Sequence, residues 1–354
     1  MIVELSSGAE IHLESIPNAH EVYLGKSGSG KTWAICRRME ELCNEKKVCV
    51  IDWSGSFSLK ELEKAGLCIE QGVQVIDLKG QRISLPVMRG DGYDADRIVS
   101  LAENALGITG SLQKAILQEI ASEVCSSEQP SLKKIVTRLE KEEAKEEAVE
   151  NNERARRIEK ILDRLSRFVK LEAFDFWASE KMVPDTQKLV IIQLSNLTPS
   201  CRKICVAAVL WAIWELIEQG NVLFDRIVLD EAQHVDFSAD IPSQMVREGR
   251  KYGLGIIMST QFLKGLNEDT ISTIEQSENI FFFRPELKSV SAIARMIEPA
   301  RAGKWASVLR NLKVGQAVLV GTYRVNRNKK SKTKNIVVYH KKAENRGGRD
   351  NDVG

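Results

Sequence analysis

The chain has little proline, 8 residues in 354, and few aromatics, 6%. That excludes a polyproline spacer or a collagen-like repeat. No Cys-x-x-Cys pair occurs. The seven cysteines, at 36, 43, 49, 68, 125, 201 and 205, are scattered, and the Cys201/Cys205 spacing has no neighbouring partners for a zinc site. An odd number of thiols fits a reducing compartment better than a secreted disulfide scaffold. Long apolar runs are missing too: the stretch from Ile204 to Ile217 is too short to span a bilayer and is interrupted by Glu215. The N-terminal MIVELSSGAEIHLES alternates apolar and polar residues and carries acids, unlike a signal peptide. These absences predict a cytoplasmic protein with no stable membrane insertion. Charge of one sign is also lacking, with 51 Lys and Arg against 49 Asp and Glu for a net +2. Any surface for a polyanion must therefore come from local clustering.

What is present is a composition suited to a large core, 43% hydrophobic and 28% charged. Ile2 to Leu13 reads as a short strand pair turning at Ser6-Ser7-Gly8. Val22-Tyr23-Leu24 is a buried strand running into a glycine loop, and Thr32 to Cys43 has helical apolar spacing. Val48 to Ile51, ending in Asp52, reads as a parallel strand buried on both faces, completing a βαβ unit. From Tyr93 to Phe176 the spacing becomes helical. It includes the charged stretch Glu140 to Arg167, read as a solvated helix or helix pair laced with ion pairs, with a partner- or DNA-contacting arm as the alternative. Strands resume at Leu189–Ile192, Arg226–Leu229, Ile256–Met258, Ile280–Phe283 and Ala317–Val320, with a long buried helix from Cys201 to Gln219. Beyond Tyr323 the chain is basic, with one more strand at Ile336–Tyr339 and a Gly- and charge-rich end expected to be disordered. The expected organisation is 1–92 as the first part of an α/β core, 93–180 as an inserted helical subdomain, 181–322 as the second part of the core, and 323–354 as a basic hairpin or tail.

Four motifs carry chemistry. Gly25-Lys26-Ser27-Gly28-Ser29-Gly30-Lys31-Thr32 matches GxxxxGK[ST]. Its glycines let successive N–H groups curl inward around phosphates at a helix N-terminus, Lys31 reaches the β- and γ-phosphates, and the Thr32 hydroxyl ligates Mg²⁺. Trp33, next in line, is a further candidate for nucleotide contact, with a place in the helix's apolar face as the alternative. Arg226 to Leu229 is an apolar strand ending in Asp230-Glu231: Asp230 to hold Mg²⁺, Glu231 to polarise the attacking water as general base. Gly255 to Gln261 is a strand ending in small polar residues, and Gln261 is the candidate sensor of the γ-phosphate or the water. Arg247-Glu248-Gly249-Arg250-Lys251 precedes it, with Arg250, then Arg247, as candidate finger acting on a neighbouring subunit's site. His234 reads as a helix-start histidine, with nucleotide or DNA sensing as the alternative. Arg284 is a further candidate for the ATP site. The run from Arg324 to Lys334 either contacts DNA phosphates or forms a solvated tail or hairpin loop.

GKSGSGKT, VIDWSG (50–55), VLDEAQH (228–234), EGRKYGLGIIMSTQ (248–261) and the glycine turn opening 315–320 together resemble the HerA–FtsK class of P-loop ATPases. The likeness is greatest to the HerA-like branch, with VirB4/TraG-type conjugation ATPases as cousins. The resemblance implies a RecA-like ASCE P-loop NTPase fold, α/β with a mostly parallel central sheet and an inserted helical subdomain. It implies ATP and Mg²⁺ as cofactors, an active set of Lys31, Thr32, Asp230, Glu231, Gln261 and an arginine near Arg250, and a homo-hexameric ring that moves double-stranded DNA without sequence readout. HerA relatives carry an N-terminal β-barrel, for which the 24 residues before Gly25 are too few. The expected function is a DNA translocase working with a partner effector such as a nuclease, in phage defence or a mobile element. The alternatives are an ATPase scaffold that gates a partner, or a conjugation (type IV secretion) ATPase.

Overall fold

The computed structural model describes residues 2–13, 20–67, 72–177, 182, 187–237, 240–261, 272, 274, 277–326 and 332–341. The end of the basic tail and part of the run after Arg324 lie outside these residues.

The first strands, β1 (Ile2–Glu4) and β2 (Glu10–Leu13), pair antiparallel with Ile2 opposite Ile11. The phosphate-loop unit follows: β3 (Glu21–Leu24), α1 (Lys31–Leu42) and β4 (Val48–Asp52). Next come α2 (Leu59–Lys64), β5 (Val73–Asp77) and β6 (Ile83–Met88). Four helices succeed them, α3 (Asp94–Leu106), α4 (Ser111–Cys125), α5 (Leu132–Ala148) and α6 (Asn152–Lys170), before β7 (Phe174–Trp177). Strand and helix then alternate through β8 (Leu189–Gln193), α7 (Pro199–Glu218), β9 (Arg226–Leu229), α8 (Asp240–Glu248), β10 (Gly255–Thr260) and β11 (Asn279–Phe283). The chain closes with α9 (Val290–Ile297), α10 (Ala302–Asn311), β12 (Gln316–Gly321), β13 (Tyr323–Val325) and β14 (Ile336–His340).

One sheet runs in the order β13-β2-β1-β14-β12-β11-β3-β10-β9-β4-β8-β5. From β11 to β5 every neighbouring pair is parallel, and from β12 outward every pair is antiparallel. The parallel strands are buried on both faces, and side-chain alternation divides them between two cores. Val22, Leu24, Cys49, Ile51, Ile280 and Phe282 face one core, shared with α7 and with helices α3 to α6. Tyr23, Val48, Val50, Phe281 and Phe283 face the other, covered by α1 and α2.

The charged stretch from Glu140 to Arg167 falls on α5 and α6, which pack against each other. Ala155, Ile158, Ile161 and Leu165 bury one stripe, while Arg154–Glu146 (3.2 Å) and Arg138–Glu142 (2.9 Å) tie the polar sides. Three short strands escaped the sequence pattern: β5 at the sheet edge, and β6 and β7, which pair only with each other. Their register shifts between Ser84 and Met88, where Pro86 supplies no N–H to the ladder. The strand expected at Ile336–Tyr339 is β14, inserted between β1 and β12. Among the described residues no helix is long and apolar enough to cross a membrane.

Candidate nucleotide site

The glycine loop leaves β3 at Leu24 and is tied to the strands on either side. The Gly25 N–H donates to the Thr260 carbonyl (3.2 Å) at the end of β10, and the Lys26 N–H donates to the Arg284 carbonyl (3.1 Å) just past β11. Two of its glycines are required by space. A Cβ on Gly25 would lie 2.6 Å from the Phe283 Cβ, and one on Gly30 would lie 2.7 Å from the backbone nitrogen of Gly315. Gly30 also has φ of +99°, a left-handed conformation that side chains disfavour. Its neighbour Ser29 is buried and accepts the Gly315 N–H (2.9 Å), so the turn before β12 braces the loop from behind. Ser27 and Gly28 form the exposed crest.

Helix α1 opens at Lys31 with no side-chain cap and no acid in its first turn. Its free amides and dipole thus present positive potential to whatever the loop encloses. Lys31 is buried, and its Nζ donates to the carbonyls of Gly25 (2.6 Å) and Lys26 (3.2 Å). Burial lowers the lysine's pKa, opposed by the negative charges of Glu231 and Asp230. Thr32 and Trp33 are half-buried in the first turn, and the Arg37 guanidinium lies 5.5 Å from the Trp33 ring centroid.

Sheet order brings the acids to this loop. β10 lies between β3 and β9, so the strand carrying Asp230-Glu231 is two places from the phosphate-loop strand, with the Gln261 strand between them. Asp230 is buried, and its Oδ2 accepts from the Ser54 hydroxyl (2.5 Å) and the Ser54 N–H (3.2 Å). Burial pushes its carboxyl up to about 7, resisted by the Ser54 hydroxyl and reinforced by Asp52 nearby. Asp52 is fully buried and accepts N–H groups from Gly55 (2.8 Å), Ser56 (3.0 Å) and Phe57 (3.1 Å), which shapes the loop that presents Ser54. Glu231 has φ of 51° and ψ of 53°, placing it on a left-handed corner. Its two carboxylate oxygens are held by different amides: Oε1 accepts from Gln261 Nε2 (2.6 Å) and Oε2 from Gln233 Nε2 (2.5 Å). Gln233 in turn accepts from the Thr260 hydroxyl (3.0 Å).

The structure therefore brings together Gly25 to Thr32, Asp230, Glu231 and Gln261. Gln261 meets the carboxylate of Glu231 itself. Arg250 is not part of this cluster. It lies on the short helical turn Gly249–Tyr252 before β10, at the N-terminal end of the parallel strands, whereas the glycine loop lies at their C-terminal end. The six residues of β10 separate those ends by about 20 Å at ordinary strand rise. Arg250 and Arg247 are both exposed and form no ion pair among the described residues. Arg284 adjoins the loop through its carbonyl, with its side chain exposed. His234, expected at a helix start, ends a short helical turn from Ala232, and its ring stacks on Trp53. Burial, with help from Lys203 and Arg202, lowers its pKa against the pull of Glu231. Sequence reasoning assigned nothing to Ser54, Gln233 or Trp53. The available signal was the VIDWSG motif, a buried strand ending in an acid followed by small polar residues.

A loop in which Gly25 and Gly30 leave no room for side chains, an uncapped helix N-terminus, a buried lysine and a buried carboxylate form a donor set that fits a nucleoside triphosphate with Mg²⁺. Mg²⁺ keeps waters and phosphate oxygens as ligands, so one carboxylate and one hydroxyl suffice. Among the described residues there is no group of three or more His, Cys, Asp or Glu that would hold a metal alone.

The family described as "Helicase HerA, central domain" matches residues 6–213, more than half of the chain. No curated protein matches. Among solved structures, VirB4 of Thermoanaerobacter pseudethanolicus is similar at 19% identity and a TM-score of 0.61, covering 92% of this chain and 90% of that one. The bacterial conjugative coupling protein TrwBdeltaN70 is similar at 17% identity and a TM-score of 0.61, covering 94% and 88%. The plasmid coupling protein TrwB in complex with ADP and Mg²⁺ is similar at 15% and 0.60, again over 94% and 88%. At these identities the likeness shows the fold, a RecA-like α/β ATPase core. The matched span contains the glycine loop, and with the acids of β9 brought beside it, the chain belongs to the HerA central-domain family of P-loop ATPases.

Proposed function

We propose that this chain is an ATP-driven motor that translocates double-stranded DNA. The observation that carries the hydrolytic half is the clamped carboxylate: Glu231 lies on the corner just past β9, the strand beside β10, with both oxygens held by amides and Asp230 next to it. Bound MgATP would supply the electrophilic γ-phosphorus, with the ion neutralising charge on the phosphate oxygens. Lys31, now bonded to the loop carbonyls, would bind the phosphates instead. Thr32 and Asp230 would hold the ion, and Trp33 would border the nucleotide. Glu231 takes the proton of the attacking water, and Gln261, already bonded to Glu231, reports whether that water is in place. Arg250 cannot reach its own chain's loop, so it serves a neighbour's. That arrangement calls for a ring of identical subunits, a homo-hexamer. The DNA half is supported by the family's helicase description and by the conjugative coupling proteins that share the fold. The motor works with a partner effector such as a nuclease, in a cytoplasmic phage-defence or mobile-element setting.

The test is displacement of a third strand from a DNA triplex by the purified chain with MgATP. ATP-dependent release that is lost in Glu231→Gln supports a translocase. ATP hydrolysis indifferent to DNA, with assembly that depends on a second protein, would point to a scaffold instead. Co-fractionation with membranes would point to a secretion ATPase.

A further inference from the structure

The turn that carries Glu231 is braced by a ring stack outside the chemistry described so far. Trp53, the residue after β4, is buried, and its indole stacks on the His234 imidazole with centroids 4.3 Å apart and planes 19° from parallel. Arg202 of α7 also holds its guanidinium carbon 5.6 Å from the indole centroid. That guanidinium is fixed by three carbonyls, those of Leu197 (2.9 Å), Trp53 (3.0 Å) and Ser195 (2.5 Å). Trp53 is thus held by Arg202 of α7 as well as stacked on His234.

His234 is the last residue of the helical turn that begins right after Glu231, and its N–H donates to the Glu231 carbonyl (2.9 Å). The corner at Glu231 is left-handed, a conformation that a glutamate leaves readily unless its surroundings hold it. Ser54, adjacent to Trp53, meanwhile bonds Asp230. The two residues after Asp52 therefore grip both ends of the segment Asp230 to His234, Ser54 at its start and Trp53 at its end.

We propose that the Trp53–His234 stack, anchored by Arg202, is the positioning device that holds Glu231 in its left-handed corner for hydrolysis. This rests on reading Glu231 as the general base. Trp53 and His234 act through Glu231 and touch no substrate.

The experiment is steady-state ATP turnover by the full chain with MgATP, comparing wild type with Trp53→Ala, Trp53→Phe, His234→Ala and the double variant Trp53→Ala/His234→Ala. Each alanine variant should lower kcat about three- to tenfold, the range that loss of one aromatic pair supports, with KM for ATP moving less than twofold. The double variant should be no slower than the worse single variant, since either change abolishes the same contact. Trp53→Phe, which keeps a stacking face, should retain more than half of wild-type kcat. His234 is exposed, so its alanine variant reports on the stack even if Trp53→Ala does not fold. Losses that multiply in the double variant, or a folded His234→Ala with wild-type kcat, would overturn the proposal. Glu231→Gln separates the two ideas. Retained hydrolysis there removes the base assignment, whereas lost hydrolysis with an unaffected His234→Ala removes the stack's role alone.

Discussion

Gly28 and Gly30 both lie in the phosphate loop with positive φ, at +70° and +99°, yet substituting them should have different consequences. Alanine at either position suffers the left-handed penalty, about 1–2 kcal/mol. At Gly28 that is the whole cost, because no atom lies within 4 Å of the added Cβ. At Gly30 the Cβ would lie 2.7 Å from the Gly315 nitrogen and 2.9 Å from its Cα, both backbone atoms that cannot swing aside. The turn must retreat, which strains packing by about 1–3 kcal/mol. It also stretches the Gly315-to-Ser29 hydrogen bond, worth about 1 kcal/mol. Gly30→Ala should therefore be less stable than Gly28→Ala by about 2–4 kcal/mol. Thermal unfolding of the nucleotide-free proteins checks this, with the Gly30 variant melting about 3–5 °C below the Gly28 variant for a chain of 354 residues. Coincident melting curves would refute the claim that the turn before β12 is a rigid brace for the loop.

Other expectations follow from the same contacts. Ser54→Ala removes the hydroxyl that orients Asp230, so the Mg²⁺ concentration for half-maximal ATPase should rise about tenfold; an unchanged Mg²⁺ titration contradicts that role. If Arg250 acts across a subunit boundary, Lys31→Ala and Arg250→Ala should each be inactive alone, and a mixture should regain activity through sites built from one of each. Failure of every mixing ratio to recover turnover counts against the trans assignment. His340 is buried against Tyr23 and Phe281 with neither ring nitrogen bonded, and burial pushes its pKa down to about 3. A basic group with a depressed folded-state pKa contributes stability above its ordinary value near 6.5, and that contribution is lost as pH falls. At pH 5 the loss should reach about 2 kcal/mol. Denaturant unfolding at pH 7.5 and pH 5 should show His340→Phe losing about that much less than wild type, and parallel losses would argue against the assignment.

The glycine loop and the acids on β9 were legible in sequence because each is a local pattern: residues adjacent in the chain do the work together. Gln261 was legible through a topological inference, that a strand ending in a polar residue lies between the two motif strands, and β10 occupies that place. The hydroxyl of Ser54 was not, because its partner Asp230 is 176 positions away and only the parallel pairing of β4 with β9 brings them together. The bracing turn at Gly315 is remote for the same reason, reaching Ser29 through the antiparallel pair β11–β12. Strands β5 and β6 were missed because polar residues and a proline break their apolar pattern, Gln74 in β5 and Ser84 and Pro86 in β6, whereas β4 and β8 read as continuous apolar runs. The helices from α3 to α6 were readable from their apolar spacing. That they share one core with the sheet was not, since periodicity tells which face is apolar and not what covers it.

The central claim is that the clamped Glu231 drives a motor working on DNA. ATP turnover by the full chain, measured with and without long duplex DNA, for wild type beside Glu231→Gln, tests it most directly. Wild-type turnover should rise severalfold with duplex of any sequence, and Glu231→Gln should bind ATP yet stay at background in both conditions. Turnover that ignores DNA, or a Glu231→Gln variant that hydrolyses at the wild-type rate, would contradict the account.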